Sequence, residues 1–176
     1  MKRFALTAAL AFGLALAACE QQGPQEAATP AALCDSLPKS EIERALGAPI
    51  EAATVATDNG SPDEGCSWLA NDPAGGPRTL SFTIFRLKVL QERGAPTSGK
   101  AFYDDEAAAL RAKYTRVGAL DQIGDEGLMG VGDSATPSRF GAEIVVIKDG
   151  DVLSMRIDGE DPAAFEALAR VAAQAM

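Results

Sequence analysis

Residues 143–157 read EIVVIKDGDVLSMRI, and no other stretch restricts the fold so tightly. Two runs rich in β-branched residues flank Asp149-Gly150, a pair suited to a two-residue type I′ turn, in which both central residues take positive φ. Successive side chains of a strand point to opposite faces, so pairing Lys148 with Asp151 determines the whole register. Ile144, Val146, Leu153 and Met155 then share one face. Glu143 falls opposite Arg156 on the other, a favourable cross-strand pair. The chain is committed to antiparallel sheet with an apolar face that must be covered.

The cover is legible on both sides of the hairpin. Ser40-Glu41-Ile42-Glu43 has the form of a capping box, with Ser40 as N-cap, and Ile42, Ala45 and Leu46 make a short apolar stripe that stops at Gly47. Ile50 to Thr57 reads as a strand closed by an Asp58-Asn59-Gly60 turn. Asn59-Gly60-Ser61 also matches a glycosylation acceptor, which a bacterial-type leader makes a weak reading. Cys66 and Trp68 lie two apart in a strand and share a face. Leu80, Phe82 and Ile84 alternate with Thr79, Ser81 and Thr83, the pattern of a half-buried strand. Tyr103, Ala107, Leu110 and Tyr114 recur at helical spacing, predicting a helix from about Gly99. Val117 to Ile123 and Leu128 to Val131 read as weak strands. Asp161-Pro162 opens a last helix as N-cap and N1, with Phe165, Leu168, Ala169, Ala172 and Met176 as its apolar stripe. Helix, three strands, helix, about four strands, helix is an α+β order: an antiparallel sheet with about three helices packed on it.

The N-terminus sets the address. Met1-Lys2-Arg3 precedes an apolar run from Phe4 to Ala18, too short to span a membrane and ended by Glu20-Gln21-Gln22, which is the form of an export signal. Leu16-Ala17-Ala18-Cys19 resembles the lipobox of bacterial lipoproteins, in which the cysteine is acylated and the peptide cut before it. A single acyl chain, at about 0.8 kcal/mol per buried CH₂, holds only marginally, whereas two or more anchor stably. An ordinary signal cut after Ala15-Leu16-Ala17 is the alternative, and it leaves Cys19 as an exposed thiol without evident purpose. With Cys19 acylated, Cys34 and Cys66 are the remaining pair in an oxidising compartment, and one disulfide is expected; two buried free thiols are the alternative. Residues 1–18 are thus read as signal peptide, 19–32 (EQQGPQEAATPAA after the cysteine) as a flexible tether, and 33–176 as one α+β domain. Glu20 after the cysteine resembles the default outer-membrane signal of Gram-negative lipoproteins, which implies a domain facing the periplasm.

Composition removes several chemistries. The 176 residues carry 16 basic and 25 acidic side chains, a formal charge of −9, and loss of Lys2 and Arg3 makes the remainder more acidic by two. Such a chain has no electrostatic footprint for nucleic acid and reaches a membrane only through its anchor. There is no histidine, which excludes histidine-based triads and general bases. Gly94-Ala95-Pro96-Thr97-Ser98-Gly99-Lys100-Ala101 approaches a P-loop, but Ala101 stands where the Mg²⁺-binding hydroxyl belongs. The plain reading is a loop with Ser98 capping a helix, and no nucleotide is expected. Asp104, Asp105 and Glu106 project about 100° apart on a helix and suit its dipole, not one ion. Asp121, Asp125, Glu126 and Asp133 fail the EF-hand spacing. Neither metal nor cofactor is expected. Trp68 reads as core beside the disulfide, with the floor of a ligand cleft as the alternative.

Cys34, a helix ending Ala45-Leu46-Gly47, Cys66-Ser67-Trp68, Ile123-Gly124-Asp125-Glu126, the hairpin and an Ala-rich C-terminal helix follow in an order that resembles a family of small bacterial lipoproteins of unknown function. The same outline is similar to the extracellular sensor domain of some bacterial serine/threonine kinases. The resemblance implies a twisted antiparallel sheet, a helix stapled by the disulfide and a ligand cleft; it supplies no catalytic residues. Gly127 departs from the alanine common at that place. The expected function is a lipid-anchored, non-enzymatic cell-envelope module that binds or senses a small ligand or an envelope protein. The alternatives are an envelope hydrolase using carboxylates or a Ser-Lys dyad, and a structural envelope lipoprotein.

Overall fold

A computed structural model describes residues 34–56, 63–73, 76–92, 94, 98–132, 141–159 and 161–176. The signal peptide, Cys19, the tether, the Asp58-Asn59-Gly60 turn and residues 95–97 of the P-loop-like stretch lie outside the described residues. In chain order the elements are α1 (Lys39–Leu46), β1 (Ile50–Ala56), β2 (Asp63–Asp72), β3 (Gly76–Phe85), α2 (Leu87–Glu92), α3 (Gly99–Lys113), β4 (Arg116–Ala119), β5 (Glu126–Val131), β6 (Ala142–Lys148), β7 (Asp151–Ile157) and α4 (Pro162–Gln174). The seven strands form one antiparallel sheet in the order β1-β2-β3-β7-β6-β5-β4. The α+β architecture is the expected one, and the described residues hold four helices where about three are expected.

The hairpin has the predicted register: Lys148 faces Asp151 and Glu143 faces Arg156. Asp149 and Gly150 take φ of 53° and 88°, the positive pair that a type I′ turn needs. Arg86 secures the turn from outside, its Nη1 donating to Asp151 Oδ2 at 2.8 Å and to the Met176 carbonyl at 3.3 Å.

Helices lie on both faces. On one, α1 and α4 cover Trp68, Leu80, Phe82, Ile84, Ile144, Val146, Leu153, Met155 and Ile157. The Asp161 carboxylate starts α4 by accepting from the amides of Ala163 and Ala164, with Pro162 at the first position. Arg78 holds the end of α1 by donating to the Leu46 carbonyl, and Asp72 fixes the guanidinium at 2.7 Å. On the other face, α3 packs Tyr103, Ala107, Leu110 and Tyr114 over Leu128, Val145, Ile147 and Val152. Ser98 caps it, accepting from the Ala101 amide as the sequence predicts. β6 is buried on both faces, which accounts for its unbroken apolar run in place of simple alternation.

Three local expectations are corrected. Ser40 is not the N-cap of α1: Pro38 is, and its carbonyl accepts from Glu41 and Ile42. Ser40 therefore lies inside the first turn, and Glu43 accepts from the Ile50 amide instead. The strand expected over Val117–Ile123 ends at Ala119, because the chain turns so that Leu120 and Ile123 join the core under α4. Gly124 makes the turn at φ 65°, where a Cβ would stand 2.4 Å from Val146 Cγ1 and 2.5 Å from the Ile147 carbonyl oxygen. Finally, Leu87–Glu92 is helical, a single short segment with no capping signal for sequence reasoning to find.

A candidate binding groove at the margin of α3

The helix α3 crosses only half of the sheet, resting on β5, β6 and β7. On that same face α3 reaches β3 only at its end, where Phe102 packs on Phe85 at 4.6 Å between ring centroids. The remaining outward positions of β2 and β3 include Ser67, Leu69, Thr79, Ser81 and Thr83, and Leu69 is 39% exposed. The registers align these positions into rows. Ser67 faces Ser81, Ser81 faces Arg156, and Arg156 faces Glu143 under the edge of α3. One step along, Thr83 faces Ser154 and Ser154 faces Val145. Among the described residues, the hydroxyls of Ser67, Ser81, Thr83 and Ser154 hold no hydrogen bond, so they are available to a ligand or to water.

Where the helix edge meets this open floor there is a cavity of about 200 Å³. Glu106, Ala109 and Lys113 line its helical wall, and Glu143, Ser154 and Arg156 its floor. Glu143 is the buried charged residue of this face. Lys113 donates to its carboxylate, and Arg156 Nε stands 3.7 Å away. Two cations therefore satisfy one buried anion, as a charge removed from water requires. Glu106, half-buried on the rim, has no partner among the described residues. The groove presents charges of both signs with hydroxyls between them.

Two displaced titrations among the described residues lie at the other end of α3. Burial pushes the Tyr103 phenol above its ordinary value, and the nearby Glu126 carboxylate adds to the shift. Asp104, 2.5 Å from the Lys100 ammonium, holds that ammonium above its usual value.

A second cavity, of about 240 Å³, lies between the Gln122–Asp125 turn, the hairpin tip and α4. Its cations are used by the fold: Lys148 donates to the Ala173 carbonyl, and Arg170 to those of Asp121 and Gln122. A third, of about 370 Å³, adjoins the disulfide at Cys34.

Cys34 and Cys66 are bridged, with Cα atoms 5.6 Å apart. The bridge joins the start of the described chain to β2 on the α1/α4 face. Trp68 is core, 2% exposed, although its edge lines the third cavity. Gly99, at the P-loop-like stretch, packs on the hairpin turn so closely that a Cβ would stand 1.7 Å from the Gly150 carbonyl oxygen. Asp104 pairs with Lys100, while Glu106 belongs to the groove. Among the described residues no group of three acidic or cysteine side chains is placed to hold a metal, and no helix is long and apolar enough to cross a membrane.

The sequence exposes the Glu143–Arg156 pairing but not its partners. Lys113 and Glu106 arrive from a helix about 30 residues upstream, and no local spacing announces that convergence. No known protein family matches the chain, and no curated protein or solved structure matches it.

Proposed function

We propose that the protein is a lipid-anchored, non-catalytic binding module of the cell envelope, exported and fastened through acylated Cys19 to the outer membrane so that the domain faces the periplasm. Its ligand is a small zwitterion of the amino-acid or peptidoglycan-stem class, seated in the groove beside α3. The carrying observation is the juxtaposition, around one cavity of about 200 Å³, of Arg156 and Lys113 with Glu106, which has no partner among the described residues. A ligand carboxylate would lie toward Arg156 and Lys113, an ammonium toward Glu106, and the open hydroxyls of Ser154 and Ser81 would take its neutral polar groups. Charge-assisted hydrogen bonds of this kind orient a small ligand more strongly than neutral ones. The hydrolase alternative calls for two convergent acids. Glu143, the carboxylate nearest Glu106 in this lining, is instead engaged with two cations.

A thermal-shift screen of the detergent-extracted chain against L- and D-amino acids and defined peptidoglycan fragments tests the reading. A zwitterionic compound is expected to raise Tm in a concentration-dependent way, and E106Q combined with R156Q to abolish the rise. If no zwitterion raises Tm, or the double variant responds like the native chain, the groove reading fails.

A further inference from the structure

The sheet ends at β4 on one side and at β1 on the other, and the two edges are built differently. β4 is four residues long, and its first residue, Arg116, donates to the Gly132 carbonyl. A short, charged edge of this kind resists pairing. β1 is seven residues long, reads IEAATVA, and contains neither proline nor lysine. Among the described residues it pairs only with β2. Its one interruption is a bulge between Ile50 and Ala53, which leaves Ala53–Ala56 as a regular ladder whose outer row of backbone groups meets no other strand among the described residues.

The bulge adjoins the cavity of about 370 Å³. Leu37, Ile42, Ile50 and the edge of Trp68 give it an apolar floor, and Asp35 and Glu51 stand on its rim. The rim's lysine, Lys39, lies 3.6 Å from Glu43. Glu51 Oε1 accepts from Asn71 Nδ2, and Asp35 has no partner among the described residues. The strip thus combines a strand edge unpaired among the described residues with an apolar hole whose rim carries two carboxylates, Asp35 and Glu51, against one lysine, on a chain whose formal charge is −9.

We infer that the outer edge of β1 and the adjoining cavity form a docking strip for an extended, basic segment of a partner polypeptide. The segment adds as an eighth strand, so that its backbone supplies affinity. One arginine or lysine lays its aliphatic stem over Ile42 and Trp68 and sets its charge between Asp35 and Glu51. Strand addition with side-chain pockets beside the edge is a recurrent mode of peptide recognition, and long basic side chains pack their stems on apolar surface while the head stays polar. The carboxylate rim disfavours an acidic segment, and a second copy of this acidic chain, by like-charge repulsion. This strip is separate from the α3 groove, and neither depends on the other.

The test uses the full exported chain and two synthetic ten-residue peptides, one alternating valine with arginine and one alternating valine with glutamate. Binding is read from the emission of the lone tryptophan, Trp68. The arginine peptide is expected to bind and shift the emission, the glutamate peptide to do neither. D35N combined with E51Q is expected to weaken binding about tenfold, the scale of losing two partly exposed charge contacts. N-methylation of alternate peptide amides is expected to abolish binding in one phase and spare it in the other, because a strand pairs through every second residue on each side; this arm requires no change to the protein. Equal binding of both peptides, or indifference to N-methylation in both phases, overturns the inference. A concentration-dependent dimer dissolved by the peptide would make a second copy the occupant. Binding only after deletion of residues 20–32 would make the chain's own N-terminal segment the occupant. Either result overturns the inference as stated.

Discussion

The two halves of the sheet are stabilised in different ways. β5 and β6, with the start of β7, lie between two layers of helix; β6 is buried on both faces, and no covalent link is present. β2 and β3 are fully buried on the α1/α4 face, while on the other only Phe85, at the end of β3, packs under α3, and this half carries the Cys34–Cys66 bridge. One half gains its rigidity from apolar area on two sides. The other exposes a face bearing hydroxyls, and a crosslink compensates for the area it does not bury. The exposed hydroxyl-bearing face and the covalent reinforcement therefore occur on the same half of the sheet.

The sharpest way to break this contrast is one substitution made on the same face of each half. Val152 is 1% exposed beneath α3, whereas Ser81 stands on the open half, opposite Arg156. Val152→Asp introduces a charge without a partner into the covered layer and is expected to destabilise by about 4 kcal/mol or more. Ser81→Asp is expected to change stability by no more than about 0.5 kcal/mol. Urea unfolding of the two variants checks this. Equal losses would mean that the open half is covered after all.

The crosslink supplies the next largest effect. Replacing Cys34 and Cys66 together by alanine reopens a loop with a sequence separation of 32. The expected loss is about 2–5 kcal/mol on the chain-entropy account of such bridges. Hydrogen exchange locates it: amides of β2 and β3 should lose protection before those of β6, since regions with fewer buried contacts open first. Uniform loss across the sheet would show that the halves unfold as one unit and that the bridge does not serve its own half in particular.

How much of this was legible follows from how local each determinant is. The hairpin register, the α4 cap at Asp161 and the Ser98 cap rest on residues within a few positions of one another, and the structure agrees with each. Ser40 misled because the serine–glutamate spacing is a necessary pattern only, and Pro38 with its fixed φ took the helix start two residues earlier. Val117–Ile123 misled because Leu120 and Ile123 are apolar for the sake of the α4-side core, not of a strand. The Cys34–Cys66 disulfide is expected from counting cysteines in a chain whose N-terminus reads as an export signal. The groove did not follow from anything local: Lys113 meets Glu143 only after the sheet has formed, and the covering of one half and not the other is decided by where a single 15-residue helix crosses.

The smallest effect is a titration that reads whether α3 is seated on the covered half. Tyr103 is buried there, and burial first, with Glu126 next, raises the pKa of its phenol. The folded state then keeps the proton at a pH where the unfolded chain, with tyrosine near pH 10, has released it. Stability from this group is complete below about pH 10 and is lost as pH rises through the folded value. The chain has two tyrosines, so Tyr114→Phe leaves the phenolate absorbance to Tyr103 alone. In that background Tyr103 should ionise at higher pH than free tyrosine. Leu110→Ala, which thins the contact of α3 with the sheet, should bring its midpoint back toward the free value. A Tyr103 that titrates like free tyrosine in both proteins would mean that the helix does not shield this half in solution, and the contrast between a two-sided and a one-sided sheet would collapse with it.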